Sequence, residues 1–136
     1  MDLKELYEIY EVLKQLHIKL SYKEFEDLIY DMRHMEYKMF GVLESGELIT
    51  FAGVAVVTNF QYKRHLSIFD FVTDEKFRLR GYGKLMLEFL EDYAKTAMCE
   101  TILLSCYTQE NQKFYEKSGF SISNTTLIKS LTRNTF

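Results

Sequence analysis

The chain has 136 residues, of which 47% are hydrophobic and 27% are charged. This size and composition exclude a disordered, collagen-like or low-complexity chain, so we expect one globular domain over residues 1–136. The net charge of -3 excludes a general attraction to nucleic acid or anionic membranes, and we expect neither as a partner. The longest apolar stretch, residues 51–57, is too short for a membrane span. The opening segment, residues 1–5, contains two acidic side chains and does not resemble a signal peptide. We therefore expect a cytoplasmic protein.

Two amphipathic helices are predicted at the start of the chain. Leucine and tyrosine recur at steps of three and four from Leu3 to Leu16, which indicates a first helix over residues 2–17. Ser21 and Glu24 have the spacing of a capping box, and the apolar stripe after them predicts a second helix that ends near residue 34.

Three strands are predicted next. Residues 37–44 and 47–58 are rich in Phe, Val, Leu and Ile, and the polar turn between them predicts a β-hairpin. Gly53, inside the second strand, is typical of a bulge. Residues 64–73 alternate as a third strand, which predicts that Asp70 shares one face with Leu66, Ile68 and Val72.

The strongest helical pattern in the chain covers residues 81–97. A short apolar run follows at residues 101–106 and predicts a buried strand. Because a helix connects this strand to the strand at 64–73, we expect the two to be parallel.

The end of the chain predicts three short elements. Thr108 is placed to cap a helix over residues 109–117, and Gly119 is placed to end it. Two short strands are predicted near residues 119–124 and 126–131. The complete order of elements is typical of an α/β (α+β) fold, in which a mixed β-sheet carries helices on its faces.

Cysteine and histidine are too few and too scattered to indicate metal or redox chemistry. Cys99 and Cys106 lie in apolar segments without a companion at zinc-ligand spacing, so we expect reduced thiols and no metal. His17, His34 and His65 have neither metal-ligand nor triad spacing, and we expect surface or polar-core positions for them.

Positive charge is concentrated between the third strand and the third helix. Residues 76–84, which we call the cationic turn, contain four basic side chains, two glycines and no acidic side chain. Glycines let backbone N–H groups approach a ligand closely, and a helix N-terminus attracts anions. The cationic turn is therefore a candidate phosphate or pyrophosphate site. The alternative is a glycine-rich helix start with solvated basic side chains.

Spacing excludes two common phosphate motifs at this turn. A dinucleotide fingerprint needs glycine in place of Met86, and a Walker loop needs glycine in place of Arg78 and Ser or Thr in place of Leu85. The pattern that remains is R-x-x-G-x-G, from Arg78 to Gly83.

With two further segments, this motif resembles the GCN5-related N-acetyltransferase (GNAT) superfamily. Residues 70–78 are similar to the family's strand-to-loop segment, and residues 111–120 are similar to its later helix, with F-Y-E-K-x-G-F. The resemblance covers most of the chain from about residue 20 and is strongest over residues 66–120. It implies a mixed sheet whose central parallel strand pair splays around the cofactor, with helices on both faces.

The resemblance also implies acetyl-coenzyme A (acetyl-CoA) as the co-substrate. In the family, backbone amides of the R-x-x-G-x-G loop hold its pyrophosphate, and backbone groups of the preceding strand pair with the pantetheine arm. Asn111 is a candidate for a pantetheine contact or, alternatively, a solvated helix residue. The residues assigned to the coenzyme are Phe71, Val72, Thr73, Arg78, Leu79, Arg80, Gly81, Tyr82, Gly83, Lys84, Thr108, Asn111 and Phe114.

Two residues are candidates for proton transfer. Tyr115 matches the tyrosine that donates a proton to the departing thiolate in many family members; alternatively, it packs in the core beside Phe114. Asp70 is a candidate base for the amine, directly or through water; alternatively, it pairs with His65, Arg64 or a backbone group.

The resemblance predicts an acetyl-CoA-dependent N-acetyltransferase, in which a primary amine attacks the thioester directly in a ternary complex. The alternative is a catalytically silent acyl-CoA-binding sensor or interaction module of the same fold. Acidic residues on the first two helices are compatible with a cationic small-molecule or peptide amine as the acceptor. The family's first strand has no room before the first helix, so we expect an exposed sheet edge that a second copy covers in a homodimer.

Overall fold

The computed structural model describes residues 3–105, 108, 110–122 and 126–132. Within them, no helix is both long and apolar enough to cross a membrane. Two 3₁₀ turns, at Arg33–Met35 and Glu75–Phe77, join longer elements. The helices and strands are α1 (Leu3–Leu13), α2 (Tyr22–Met32), β1 (Lys38–Glu44), β2 (Glu47–Asn59), β3 (Lys63–Thr73), α3 (Tyr82–Thr96), β4 (Thr101–Leu104) and α4 (Gln112–Lys117).

The four strands form one mixed sheet in the order β1-β2-β3-β4. The first two pairs are antiparallel, and β3 pairs with β4 in parallel, as predicted. The predicted hairpin joins β1 and β2. Ser45 and Gly46 have φ values of 52° and 79°, the left-handed conformation that a two-residue hairpin turn requires.

A β-bulge in β3 changes which side chains share a face. Gly53 of β2 is opposite Asp70, whereas the next residue, Val54, is opposite Ile68, so Phe69 has no partner on β2. The bulge predicted from Gly53 is confirmed, with its extra residue on the neighbouring strand. The prediction that Asp70 shares a face with Leu66 and Ile68 is wrong, because one extra residue moves the following side chains to the opposite face.

Helices cover both faces of the sheet and enclose two apolar clusters. On one face, Leu66 and Ile68 pack with α3 and with Tyr115. On the other face, Phe51 and Val72 pack with α1 and α2. Completely buried side chains such as Leu66 each contribute about 1.5–3 kcal/mol of burial free energy, so the two clusters fix the helices on the sheet.

Capping interactions set the helix ends that matter for the site. α1 ends at Leu13, earlier than predicted, because the Leu13 carbonyl accepts hydrogen bonds from the N–H groups of both Leu16 and His17 and closes a tight turn. α2 begins with the predicted capping box, in which Ser21 and Glu24 exchange side-chain to backbone hydrogen bonds of 3.2 Å.

The end of the chain departs from the prediction. α4 begins at Gln112 rather than near residue 109, and Gly119, with a φ of 97°, ends it as predicted. Residues 120–122 and 126–131 form no strand, whereas residues 123–125 lie outside the described residues. An alternating pattern indicates that a segment can form a strand, but the segment still needs a partner edge, and Leu127 and Leu131 remain more than 90% exposed.

Candidate active site

The parallel strands β3 and β4 separate near the middle of the sheet. They pair from His65 and Thr101 to Ile68 and Leu104. From Asp70 to Thr73, β3 pairs with β2 alone among the described strands. We call this stretch the open edge of β3, because one side of its backbone is available to a ligand.

Strand geometry identifies which backbone groups face the open edge. The Asp74 N–H donates a 2.7 Å hydrogen bond to the Ile49 carbonyl on β2. Because successive residues of a strand direct their backbone groups to opposite sides, the groups of Val72 also face β2, and those of Phe71 and Thr73 face away from it. Of the three predicted strand residues, Phe71 and Thr73 therefore offer backbone groups to a ligand.

The cationic turn continues from the open edge. The Asp74 carboxylate accepts the Lys76 N–H at 3.1 Å and starts the turn. Leu79 and Gly81 both have left-handed φ values, of 65° and 86°, which fold the backbone back before α3. Gly81 caps α3 without a side-chain hydrogen bond, so backbone N–H groups of the first turn remain for a ligand.

The basic side chains of this turn are exposed, and both arginines contact neighbouring groups. Arg78 donates from Nε to the Thr73 carbonyl at 3.1 Å, which places its guanidinium beside the open edge. The Arg80 guanidinium lies 5.5 Å from the centre of the Phe77 ring. Lys84 is exposed on the first turn of α3. A negative ligand at this turn would therefore meet positive charge together with backbone donors.

Gly83 allows the cationic turn and α4 to approach each other. A Cβ atom at this position would lie 3.1 Å from the Phe114 ring and 3.7 Å from the Phe71 ring. Phe114, predicted as a coenzyme contact, therefore packs where the turn, β3 and α4 meet.

A contact that the sequence did not indicate joins the cationic turn to the hairpin. The Tyr82 hydroxyl donates a hydrogen bond to the Glu44 carboxylate. This hydrogen bond raises the pKa of Tyr82 above its ordinary value. No local pattern in the sequence connects two residues so far apart in the chain.

Tyr115 lies where β3 and β4 separate. Its ring is 4% exposed and contacts the rings of Phe71 and Phe120 at centroid distances of 5.9 and 5.8 Å. It also lines an open cleft of about 670 Å³ with Ile68 and Leu104, the last paired residues of the two strands. The predicted core position of Tyr115 and its predicted position beside the cofactor are thus compatible.

Thr108 and Asn111, both predicted to contact the coenzyme, bind each other in this structure. The Thr108 N–H donates to Asn111 Oδ1 at 2.7 Å, and the Asn111 N–H donates to Thr108 Oγ1 at 3.4 Å. These bonds fix the segment that leads into α4.

A second cavity of about 540 Å³ lies between the first two helices and the opposite face of the sheet, and we call it the α1–α2 cavity. Its walls are mainly apolar, with Phe25 from α2 and Phe51 from β2 among them. The titratable side chains that line it are His17, Lys19, Glu24, Tyr37 and Asp70.

Asp70 lines this cavity and pairs with His17. The two side chains are joined by a 2.6 Å contact between His17 Nε2 and Asp70 Oδ1. The bulge at Phe69 turns Asp70 to this face. The partners considered from the sequence bind elsewhere, since His65 contacts the Lys63 carbonyl and Arg64 donates to the Ala97 carbonyl. Sequence reasoning missed His17 because nothing near it in the chain indicates a partner 53 residues away.

Cys99 has a free, partly buried thiol, and burial raises its pKa. Cys106 lies outside the described residues.

Comparison with known proteins identifies the family. A sequence profile of the acetyltransferase (GNAT) family matches residues 3–120. An uncharacterised N-acetyltransferase of Bacillus subtilis (strain 168) is 27% identical over 125 residues, which cover 89% of this chain and 88% of that protein. Glucosamine 6-phosphate N-acetyltransferase of Arabidopsis thaliana is 44% identical over 52 residues, or 38% of this chain and 34% of that protein.

The fold is shared with solved acetyltransferases. A Clostridium acetobutylicum acetyltransferase crystallised with acetyl-CoA superimposes with a TM-score of 0.75 at 20% identity, over 96% of this chain and 93% of that chain. The family profile and the fold agree, and the profile covers nearly the whole sequence. The protein therefore belongs to the GNAT family of acetyltransferases.

Proposed function

We propose that this acetyltransferase transfers acetyl groups from acetyl-CoA to primary amines by direct attack within a ternary complex. The observation that carries the proposal is the open edge of β3. Its backbone groups that pair with no described strand, those of Phe71 and the N–H of Thr73, lie between the cationic turn and Asp70 of the α1–α2 cavity. A donor bound along the edge and an amine bound in the cavity can therefore meet at one strand.

The donor groups present on the chain fit acetyl-CoA. A diphosphate needs N–H donors and positive charge, which residues 78–84 offer. The amides of a pantetheine arm need an unpaired strand edge, which Phe71 and Thr73 offer. The Clostridium acetyltransferase solved with acetyl-CoA supports the same ligand for this fold. When bound, acetyl-CoA supplies the acyl carbon that the amine attacks.

Polarisation of that acyl group is assigned to the Phe71 N–H. The group faces the open edge, and Phe71 directly follows Asp70. Among the described residues, it is therefore the donor on this edge that is nearest along the strand to the α1–α2 cavity. A fixed N–H stabilises the negative charge that develops on a carbonyl oxygen under attack. One such donor commonly lowers the barrier by about 3 kcal/mol.

Protonation of the departing thiolate is assigned to Tyr115. Its ring contacts Phe71 and lines the cleft where β3 and β4 separate. A phenol and a thiol have ordinary pKa values close enough for proton transfer between them.

The α1–α2 cavity is assigned to the amine. Its largely apolar walls favour an amine with an apolar body, because every buried hydroxyl of a polyhydroxylated acceptor would need a hydrogen-bond partner. The carboxylates of Glu24 and Asp70 favour a cationic ammonium group. We therefore expect arylalkylamines or alkylamines as acceptors, ahead of amino sugars.

Release of free thiol from acetyl-CoA, measured against a panel of amines, tests this function. We expect saturable turnover that is highest with apolar primary amines and is confirmed by mass spectrometry of the acetylated product. Coenzyme binding with no amine turned over would contradict the proposal and favour the silent acyl-CoA-binding module. Equal competition by ATP or NAD would contradict it as well, because the cationic turn would then be a general nucleotide site.

A further inference from the structure

His17 and Asp70 are brought together by the fold. His17 lies in the turn after α1, where its N–H donates to the Leu13 carbonyl and its own carbonyl accepts the Leu20 N–H, both at 3.0 Å. These bonds fix its backbone. Asp70 follows the β3 bulge and faces the same cavity. The two side chains thus meet at 2.6 Å on the cavity wall, where the turn after α1 faces β3.

The chemistry of the pair determines where the ring holds its proton. An ionised carboxylate only accepts hydrogen bonds, so the His17 nitrogen that faces Asp70 Oδ1, Nε2, carries the hydrogen. The lone pair of the neutral ring is then on Nδ1. Among the described residues, none makes a hydrogen bond to that atom.

Exposure distinguishes the roles of the two residues. The Asp70 side chain is 14% exposed, whereas the His17 side chain is 49% exposed. The histidine is therefore the residue of the pair that both solvent and an amine in the cavity can reach, and Asp70 lies behind it. Lys19, Glu24 and Tyr37 are the other titratable groups on the cavity wall.

We propose that His17 is the catalytic base of this acetyltransferase and that Asp70 is the positioning residue that orients its ring. The proposal rests on the proposed function. The acceptor arrives as R–NH₃⁺, and Nδ1 of His17 takes one proton, which leaves the nitrogen lone pair free to attack the thioester carbonyl. The new C–N bond forms as the C–S bond breaks, the second proton lost by nitrogen balances the one that the thiolate takes up, and His17 returns its proton to solvent.

The test compares two benzyl acceptors whose main difference is charge, since O-benzylhydroxylamine is longer than benzylamine by one oxygen atom only. Benzylamine is an ammonium ion at neutral pH, whereas O-benzylhydroxylamine is already neutral. His17→Gln keeps an N–H donor for Asp70 but has no basic lone pair. We expect it to lower kcat/KM for benzylamine by about a hundredfold and to leave kcat/KM for O-benzylhydroxylamine within a few-fold of the wild-type value. His34→Gln, at an exposed histidine outside the cavity, is the matched control and should change neither.

A second measurement needs no coenzyme. In long-range ¹H–¹⁵N spectra of the free protein, the neutral His17 ring should carry its proton on Nε2, and Asp70→Asn should shift the His17 ring resonances, which the His17→Gln spectrum identifies. Equal losses with both acceptors, no loss with either, or a ring protonated on Nδ1 would overturn the dyad. With any of those results, the wild-type protein would still acetylate the acceptors. If the proposed function itself is wrong, the wild-type protein acetylates neither acceptor.

Discussion

The two halves of the candidate active site are built in different ways. The coenzyme half, formed by the cationic turn and the open edge of β3, is almost continuous in sequence from Phe71 to Lys84. The amine half, formed by the α1–α2 cavity, joins His17 to Asp70 across 53 residues. A continuous half can be recognised from a short motif, whereas a discontinuous half exists only after the chain folds.

This difference fits the chemistry of the two ligands. Backbone N–H groups bind a diphosphate whatever the side chains are, so residue spacing and glycine placement carry most of the information. An amine is distinguished by cavity shape and side-chain charge, which come from α1, α2 and β3 together. Substitutions in one half should therefore change one ligand's binding and leave the other's nearly unchanged.

Tyr115, on α4, contacts the coenzyme half through Phe71, and its loss should have the largest effect. Tyr115→Phe keeps the ring that packs against Phe71 and removes the acidic hydroxyl. We expect kcat to fall by about a hundredfold or more, with coenzyme affinity by calorimetry nearly unchanged. Tyr93→Phe, at a partly buried tyrosine of α3, is the control and should retain wild-type kcat. A normal kcat in Tyr115→Phe would show that Tyr115 only packs in the core.

Gly81 tests whether the backbone shape of the cationic turn binds the coenzyme. Its φ of 86° is strained for a β-branched residue, so Gly81→Val should cost about 1–3 kcal/mol of unfolding free energy. Coenzyme affinity should fall about tenfold, because the N–H groups no longer converge. Gly46→Val is a matched control, since Gly46 has a φ of 79° and equally open surroundings. A similar loss of affinity in both variants would mean that stability alone, and not the shape of the turn, controls binding.

Local chemistry accounts for the parts of the fold that were predicted. The Ser21–Glu24 capping box, the hairpin turn at residues 45–46, helix α3 and the stop at Gly119 each depend on residues within a few positions of one another. The parallel pairing of β3 with β4 also follows from the helix between them. Such features can be read from a sequence because the interacting groups are neighbours in it.

The remaining features depend on contacts between distant parts of the chain. One extra residue at Phe69 reverses the face of Asp70, and periodicity across the bulge cannot show on which strand that residue lies. His17 meets Asp70 only when α1 packs against the sheet. Glu44 meets Tyr82 only when the β1–β2 hairpin packs against the cationic turn. Residues 120–122 and 126–131, where strands were predicted, form none for a related reason, since an alternating pattern does not identify a partner edge.

Gly53 allows a test of the amine half that corresponds to the Gly81 test of the coenzyme half. A Cβ at this position would overlap the Tyr37 side chain, which lines the α1–α2 cavity. In Gly53→Ala, Tyr37 must move into the cavity, so we expect KM for the amine to rise several-fold and the unfolding free energy to fall by about 1–3 kcal/mol. Coenzyme affinity should stay unchanged. Tyr37→Ala should remove the stability cost of Gly53→Ala, so the double variant should be no less stable than Tyr37→Ala alone. A rise in coenzyme Kd in Gly53→Ala would show that the two halves are coupled.

Loss of the hydrogen bond from Tyr82 to Glu44 should have the smallest effect on the site. It tests whether contacts with a distant part of the chain stabilise the cationic turn. Because this bond raises the pKa of Tyr82, it contributes stability below the ordinary tyrosine range and is lost as pH rises through the raised pKa. Glu44→Gln should move the alkaline absorbance titration of Tyr82, identified with Tyr82→Phe, back towards its ordinary range. Glu47→Gln, at the other end of the β1–β2 hairpin turn, is the control and should leave this titration unchanged. If the residues of the cationic turn alone fix its shape, Glu44→Gln leaves coenzyme affinity unchanged. A clear loss of coenzyme affinity would show that the β1–β2 hairpin helps to hold the cationic turn in place.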